Sequence, residues 1–178
     1  RDDPELSVIC SYCTNALWHN ENERFLTALR QRSTSPLVKV ASTFYLSKLL
    51  DNGIELQRNV VRIRKTFNDC GFFTAKPEMI AVFNSIEAMP TTDLQRRRNE
   101  LLDEVVGMGG ELRPWVVKRE SGRLNYQFSP APTAQTFRDM ANDLKYEISD
   151  LRVDAGELFN NALADAKLQN KNVLLVFG

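Results

Sequence analysis

The sequence predicts a mainly α protein: an irregular helical-hairpin domain, then a β-hairpin, then a last helix leading into one apolar strand. Three observations predict it. Apolar residues recur at helical spacing through the first hundred positions. Capping residues, prolines and glycines cut that pattern into short segments. At Gly107-Met-Gly-Gly110 the pattern changes, and residues of strand type follow on either side of Glu120-Ser-Gly122.

Taken in order, Asp3-Pro4 is a helix start, because aspartate can cap free amides and proline fits the first helical position. The helix is expected to run to about Trp18, with Leu6, Ile9, Cys10, Cys13 and Leu17 on one side. Asn20 is placed to cap a second helix through Arg32, carrying Phe25, Leu26 and Leu29. Ser33-Thr-Ser35 breaks it, and Ser35-Pro36 opens a third, to about Leu50, where Asp51-Asn-Gly53 reads as a stop. Leu56, Val60, Ile63 and Phe67 mark the next amphipathic helix, ended by Asn68-Asp-Cys-Gly71. Pro77 to Met89 and Thr92 to Val106 are two more, split by Pro90.

Strands are expected at Arg113 to Lys118 and Arg123 to Phe128, with Pro130 and Pro132 closing the hairpin. Phe137, Met140, Ala141, Leu144, Ile148 and Leu151 then mark a helix with Thr133 as its expected cap. Gly156 to Leu168 reads as another helix, and Val173 to Phe177 as a strand buried on both faces. The expected organisation is therefore a helical bundle or repeat-like domain at 1–106, a linker and β-hairpin at 107–132 and a connecting helix at 133–155. A final piece covers 156–178.

Composition narrows function by exclusion. The 178 residues are 43% hydrophobic and 26% charged, with 23 Lys plus Arg balancing 23 Asp plus Glu. Zero net charge argues against a strongly basic nucleic-acid binder. No run approaches the roughly 20 apolar residues needed to span a bilayer. The chain opens at Arg1 rather than Met, which leads to the expectation of a processed or truncated amino terminus. Three cysteines are too few for a disulfide scaffold, and the single histidine, His19, excludes a multi-histidine metal centre.

Cys10-Ser-Tyr-Cys13 has the spacing of a redox pair or of half a zinc site. If the helix begins near Pro4, however, Cys10 is nearly two turns inside it, where the dipole effect has faded. Two small core residues is then the simpler reading, with Cys10 and Cys13 kept as the candidate redox residues. A zinc site from Cys10, Cys13, His19 and Cys70 has suitable ligand types but no second paired motif. His19 itself is expected at a helix boundary in a solvated or capping role. Arg58, Arg62, Arg64 and Lys65, and the run Arg96-Arg-Arg98, offer phosphate or acidic-partner binding. The simpler expectation is solvated helix faces paired with Glu55, Glu100, Asp103 and Glu104. Gly107-Met-Gly-Gly110 lacks the lysine and hydroxyl of a nucleotide-binding loop and reads as a linker. Trp115, Tyr126 and Phe128 are placed to pack the hairpin onto helices or to form an aromatic docking face.

The last segment carries a resemblance. Glu157-Leu-Phe-Asn-Asn-Ala-Leu-Ala-Asp-Ala-Lys-Leu-Gln-Asn-Lys-Asn-Val-Leu-Leu-Val-Phe-Gly178 resembles the opening helix and first central strand of a thioredoxin-like (redoxin) domain. Phe25-Leu-Thr-Ala-Leu and Pro36-Leu-Val-Lys-Val-Ala are similar to helical extensions that precede such domains in some bacterial proteins. The resemblance implies an α/β thioredoxin-like domain cut off before its Cys-x-x-Cys motif, so no catalytic residue is carried over. It implies thiol–disulfide redox chemistry only where a longer chain supplies that motif, and inactivity for residues 1–178. It also implies a place in the bacterial cell envelope or periplasm, the alternative being the cytoplasm. The other functional expectation is a non-enzymatic helical interaction or scaffold subunit of a larger assembly. Both readings expect a protein partner, no nucleic acid, no transmembrane segment, no metal and no small-molecule cofactor.

Overall fold

The structure, a computed structural model, describes residues 3–119 and 126–149, and Phe159, Leu163, Ala164, Ala166 and Lys167 singly. The chain divides into two units, Arg1–Asp143 and Leu144–Gly178. The first is mainly helical with a small two-stranded sheet, in agreement with the fold class read from the sequence. In the second, the five singly described residues are helical, as expected for Gly156 to Leu168. The expected strand Val173 to Phe177 lies outside the described residues.

The first helix, α1 (Glu5–Tyr12), begins as expected: the Asp3 carboxylate accepts from the Glu5 amide at 3.1 Å. It does not reach Trp18. Cys13 caps it, Asn15 accepts from the Leu17 amide at 3.0 Å, and a 3₁₀ turn (Ala16–Trp18) leads into α2 (His19–Arg32). Asn20 is thus inside α2 rather than its cap; the asparagine that redirects the backbone is Asn15.

The largest departure is α3 (Pro36–Asp69), a 34-residue helix where two were expected. At a rise of 1.5 Å per residue it is about 50 Å long. It starts at Ser35-Pro36 as read, with Ser35 Oγ accepting from the Val38 amide. It passes straight through Asp51-Asn-Gly53 because tertiary partners engage the residues that would otherwise stop it. Asp51 accepts from Arg98 at 2.7 Å, and Asn52 donates to the Thr14 carbonyl at 2.7 Å. Gly53 is buried, and Ile54 beyond it is fully buried. Burial on that scale outweighs the roughly 1 kcal/mol that glycine costs inside a helix.

The first half of α3 is the centre of the first unit. Val38, Val40, Ala41, Phe44, Leu49 and Leu50 are all buried, so the helix is covered around its circumference. α1, α2 and α6 (Thr91–Met108) pack on it. Its buried hydroxyls are satisfied within the helix, Ser42 to the Val38 carbonyl at 2.8 Å and Ser47 to that of Phe44 at 2.6 Å. Small polar residues in this position let neighbouring helices come close without leaving a donor unpaired.

The left-handed Gly71 (φ 73°) ends α3 and starts the short α4 (Phe72–Ala75), followed by α5 (Glu78–Glu87). α6 extends through Gly107 and Met108, so the expected linker is a tight joint at its start. A Cβ on Gly109 would lie 2.6 Å from the Val105 carbonyl oxygen and 2.9 Å from the Arg138 amide. Strands β1 (Trp115–Arg119) and β2 (Tyr126–Pro130) pair antiparallel with Val117 opposite Phe128; β1 starts two residues later than expected and β2 ends two later, the expected opening of β2 at 123–125 lying outside the described residues. Trp115 and Phe128 share one face and are half-buried, and α1 packs on β1. Helix α7 (Phe137–Glu147) is capped by Thr136 rather than Thr133. Thr136 Oγ1 accepts from the Asp139 amide at 3.1 Å while Asp139 Oδ2 accepts from the Thr136 amide at 3.3 Å, a reciprocal capping box.

Candidate functional site

Beyond Val60, α3 leaves the core and α5 runs back along it. Gln57 donates to the Ile86 and Met89 carbonyls at 2.6 Å each, and Phe67 meets Phe83 edge-to-face with centroids 5.6 Å apart. Falling numbers on α5 meet rising numbers on α3, so the two are antiparallel. Phe67, Phe72, Phe73 and the fully buried Phe83 form an aromatic cluster at the turn end, edge-to-face except for the tilted Phe67–Phe72 pair.

Between the two helices lies an open groove of about 500 Å³. Val60, Val61, Phe73 and Ile80 give it an apolar lining, and Arg64 and Lys65 stand on the α3 side. Arg64 crosses it, with Nη1 3.3 Å from Glu87 Oε2 and Nη2 donating to Asn84. Val61 is 79% exposed, an unusual position for a valine in a helix whose other half is largely buried. The sequence pattern did not single out this groove. Val61 falls outside the Leu56–Val60–Ile63–Phe67 stripe, and that doubling of apolar residues at 60–61 is the one local signal.

The basic residues separate into distinct roles. Arg58, Arg62 and Lys65 share a face of α3 with Val61, all exposed. Arg58 pairs with Glu55, Arg62 bonds the Asn59 amide oxygen at 3.1 Å, and Lys65 has no partner among the described residues. On α6, Arg96 pairs with Asp93 and Glu100, Arg97 with Glu23, and Arg98 with Asp51. Arg98 is therefore buried rather than solvated. Glu104 pairs across to Arg30 on α2, whose Nε donates to Glu104 Oε1 at 3.2 Å.

His19 is not solvated either; it is 2% exposed. Its ring lies over Gly53, where a Cβ would be 3.7 Å from Cδ2. Nδ1 sits 3.0 Å from Glu23 Oε2 but off the line of a hydrogen bond, and Nε2 is buried without a partner among the described residues. His19 foremost, and then Arg97, hold the Glu23 carboxyl down at about 2 against the burial that pushes it up. The Glu23–Arg97 pair joins α2 to α6.

Cys10 and Cys13 both carry free thiols near the end of α1, Cys10 buried and Cys13 half-buried. Each donates back within the helix, Cys10 to the Leu6 carbonyl at 3.2 Å and Cys13 to that of Ile9 at 3.6 Å. Burial pushes the Cys10 thiol up to about 12 and raises Cys13 as well. A nucleophilic thiol needs the opposite, a site that favours thiolate. Cys70 is exposed at the end of α3, and among the described residues no three of His, Cys, Asp or Glu come together to hold a metal ion. No helix of the described residues is long and apolar enough to cross a membrane.

Compared with known proteins, the chain matches no family model, no curated protein and no solved structure.

Proposed function

We propose that the chain is a non-enzymatic helical interaction module of a larger assembly, and that it receives a helix of a partner protein in the groove between α3 and α5. The observation that carries this is the groove itself. About 500 Å³ of apolar-lined space is open on a helix pair braced by Gln57 and Arg64, with Val61 and Ile80 exposed at its lip. Apolar surface gathered in a concave, braced site is the form in which helix-in-groove recognition occurs. The test is a photo-crosslinking side chain in place of Val61 in the natural host, with the same group at the exposed Glu100 on α6 as the control. A discrete adduct at 61, absent at 100 and lost on Ile80→Asp, is the expected result. Equal labelling at both positions, or none at 61, would overturn the reading.

A second reading is thiol–disulfide exchange by a thioredoxin-like domain, with the cell-envelope location that accompanies it. It is supported by helix at Phe159, Leu163, Ala164, Ala166 and Lys167, where the resemblance places one. Cys10 and Cys13 are poor nucleophiles for it, so the reacting thiols would be others. Reduction of a protein disulfide by the natural full-length protein, unchanged by Cys10→Ser, supports this reading; no turnover sinks it.

A further inference from the structure

We propose that Cys10 and Cys13 form a redox-sensitive latch: a small-molecule disulfide oxidises them to a Cys10–Cys13 disulfide, and closure releases Asn52 of α3. The pair occupies the last turn of α1. Cys13 follows the helix directly, and its amide donates to the Cys10 carbonyl at 3.1 Å. Three positions apart, the two side chains share one side of the helix. Both thiols are free, and each donates to a carbonyl four residues back, Cys10 to Leu6 and Cys13 to Ile9. Burial first, and then the neighbouring Cys13, push the Cys10 thiol up, so the two sulfurs sense each other.

The thiols differ in the way that stepwise exchange requires. Cys13 is half-buried and within reach of solvent, whereas Cys10 is fully buried. In the first step the Cys13 thiolate attacks one sulfur of the reagent. A mixed disulfide forms on Cys13, the reagent's S–S bond breaks, and one reagent thiol leaves with the proton that Cys13 gave up. In the second step Cys10 attacks the Cys13 sulfur, and the other reagent thiol leaves with the Cys10 proton. Two cysteine thiols are oxidised and one reagent disulfide is reduced to two thiols. Burial raises both cysteine thiols, which makes the first step slow. The second proceeds despite this because the reacting sulfurs are held together on one turn.

Closure moves the chain. Side chains three apart on a helix have Cβ atoms about 5–6 Å apart, and a disulfide needs about 3.5–4.5 Å. Cys10 is fixed in the core, so Cys13 is the member that shifts, by about 1–2 Å. Thr14 goes with it. The Thr14 carbonyl is the acceptor for Asn52 Nδ2 at 2.7 Å, and a displacement of that size breaks the bond. Asn52 is exposed and adjoins Asp51 and Gly53, where α6 and His19 meet α3. The oxidation state of α1 is thus reported at the middle of the central helix.

The experiment exposes the full chain carrying Cys70→Ser to excess oxidised glutathione. The intact mass is expected to fall by two hydrogens, with peptide mapping placing the bond between Cys10 and Cys13. The same mapping on the unmutated chain checks the result without a substitution. Adding Cys10→Ser should leave glutathione trapped on Cys13, and adding Cys13→Ser should leave Cys10 unmodified. In the nitrogen–proton spectrum the Asn52 side-chain amide should move on oxidation and return on reduction, with that of Gln57 on the same helix unmoved. Glutathione remaining on Cys13 while Cys10 stays free, or two thiols left unmodified, would overturn the latch. A closed disulfide with the Asn52 signal unchanged would overturn the release of α3.

Discussion

Arg98 Nη1 meets Asp51 Oδ1 at 2.7 Å, with the arginine side chain almost wholly out of solvent. The pair ties α6 to the point where the local sequence of α3 signals a stop. Removing one member strands the other, so Arg98→Ala is expected to cost about 3–5 kcal/mol. Replacing both with apolar residues of similar volume recovers much of it. Denaturant midpoints of the single and double variants check this; a near-neutral Arg98→Ala would show that the pair is well solvated.

Two glycines are expected to respond oppositely to the same change. At Gly53 an added Cβ makes ordinary contacts, 3.7 Å to His19 and 4.0 Å to Leu94, within a helix. Gly53→Ala should stabilise by roughly 0.5–1 kcal/mol. At Gly109 the Cβ would come within 2.6 Å of a backbone oxygen, so Gly109→Ala should cost roughly 1–3 kcal/mol. Thermal unfolding of both variants reads the contrast, and a loss at Gly53 would contradict it.

Glu23 predicts an acid-sensitive contribution. Its carboxyl is lowered from an ordinary 4.5 to about 2, so the folded state favours the charged form. The stability it supplies is fully present above about pH 4.5 and is lost as pH falls towards 2, on the order of 2 kcal/mol. Glu23→Gln removes that slope. Unfolding free energies measured across this window would show the same slope in both proteins if the assignment were mistaken.

The capping box at α7 gives a direct comparison with the sequence reading. Thr136→Ala should cost about 1 kcal/mol and Thr133→Ala close to nothing. Chemical denaturation of the two variants tells them apart, and the reverse order would restore Thr133 as the cap.

Thiol accessibility supplies another check. Cys70 is exposed, Cys13 half-buried and Cys10 buried with its thiol at about 12. Alkylation followed by intact mass should modify Cys70 first, Cys13 more slowly and Cys10 only on unfolding. Fast reaction of Cys10 in the folded protein would contradict its placement.

Local chemistry made part of the fold legible. Ser35-Pro36 starts α3 as read because cap and proline act on the same few residues that carry the signal. The turn at Gly71 and the division at Pro90 are equally local. The passage through Gly53 is not, because the partners that hold it, Arg98, His19 and Leu94, come from elsewhere in the chain. His19 stands at the helix boundary as read, but its burial is not local: nothing around it in sequence reveals that its ring packs against α3 at Gly53. The groove is less visible still. Val61 and Ile80 lie 19 positions apart, and only the reversal at Gly71 makes them neighbours.

The claim that this groove is a docking site is tested most directly by methyl NMR of the full chain as an amphipathic helical peptide with a leucine stripe is added. The account predicts saturable shifts at Val61 and Ile80, with the core methyls of Leu26 and Leu49 unmoved. Shifts that leave Val61 and Ile80 untouched, or that spread uniformly through the core, would contradict it.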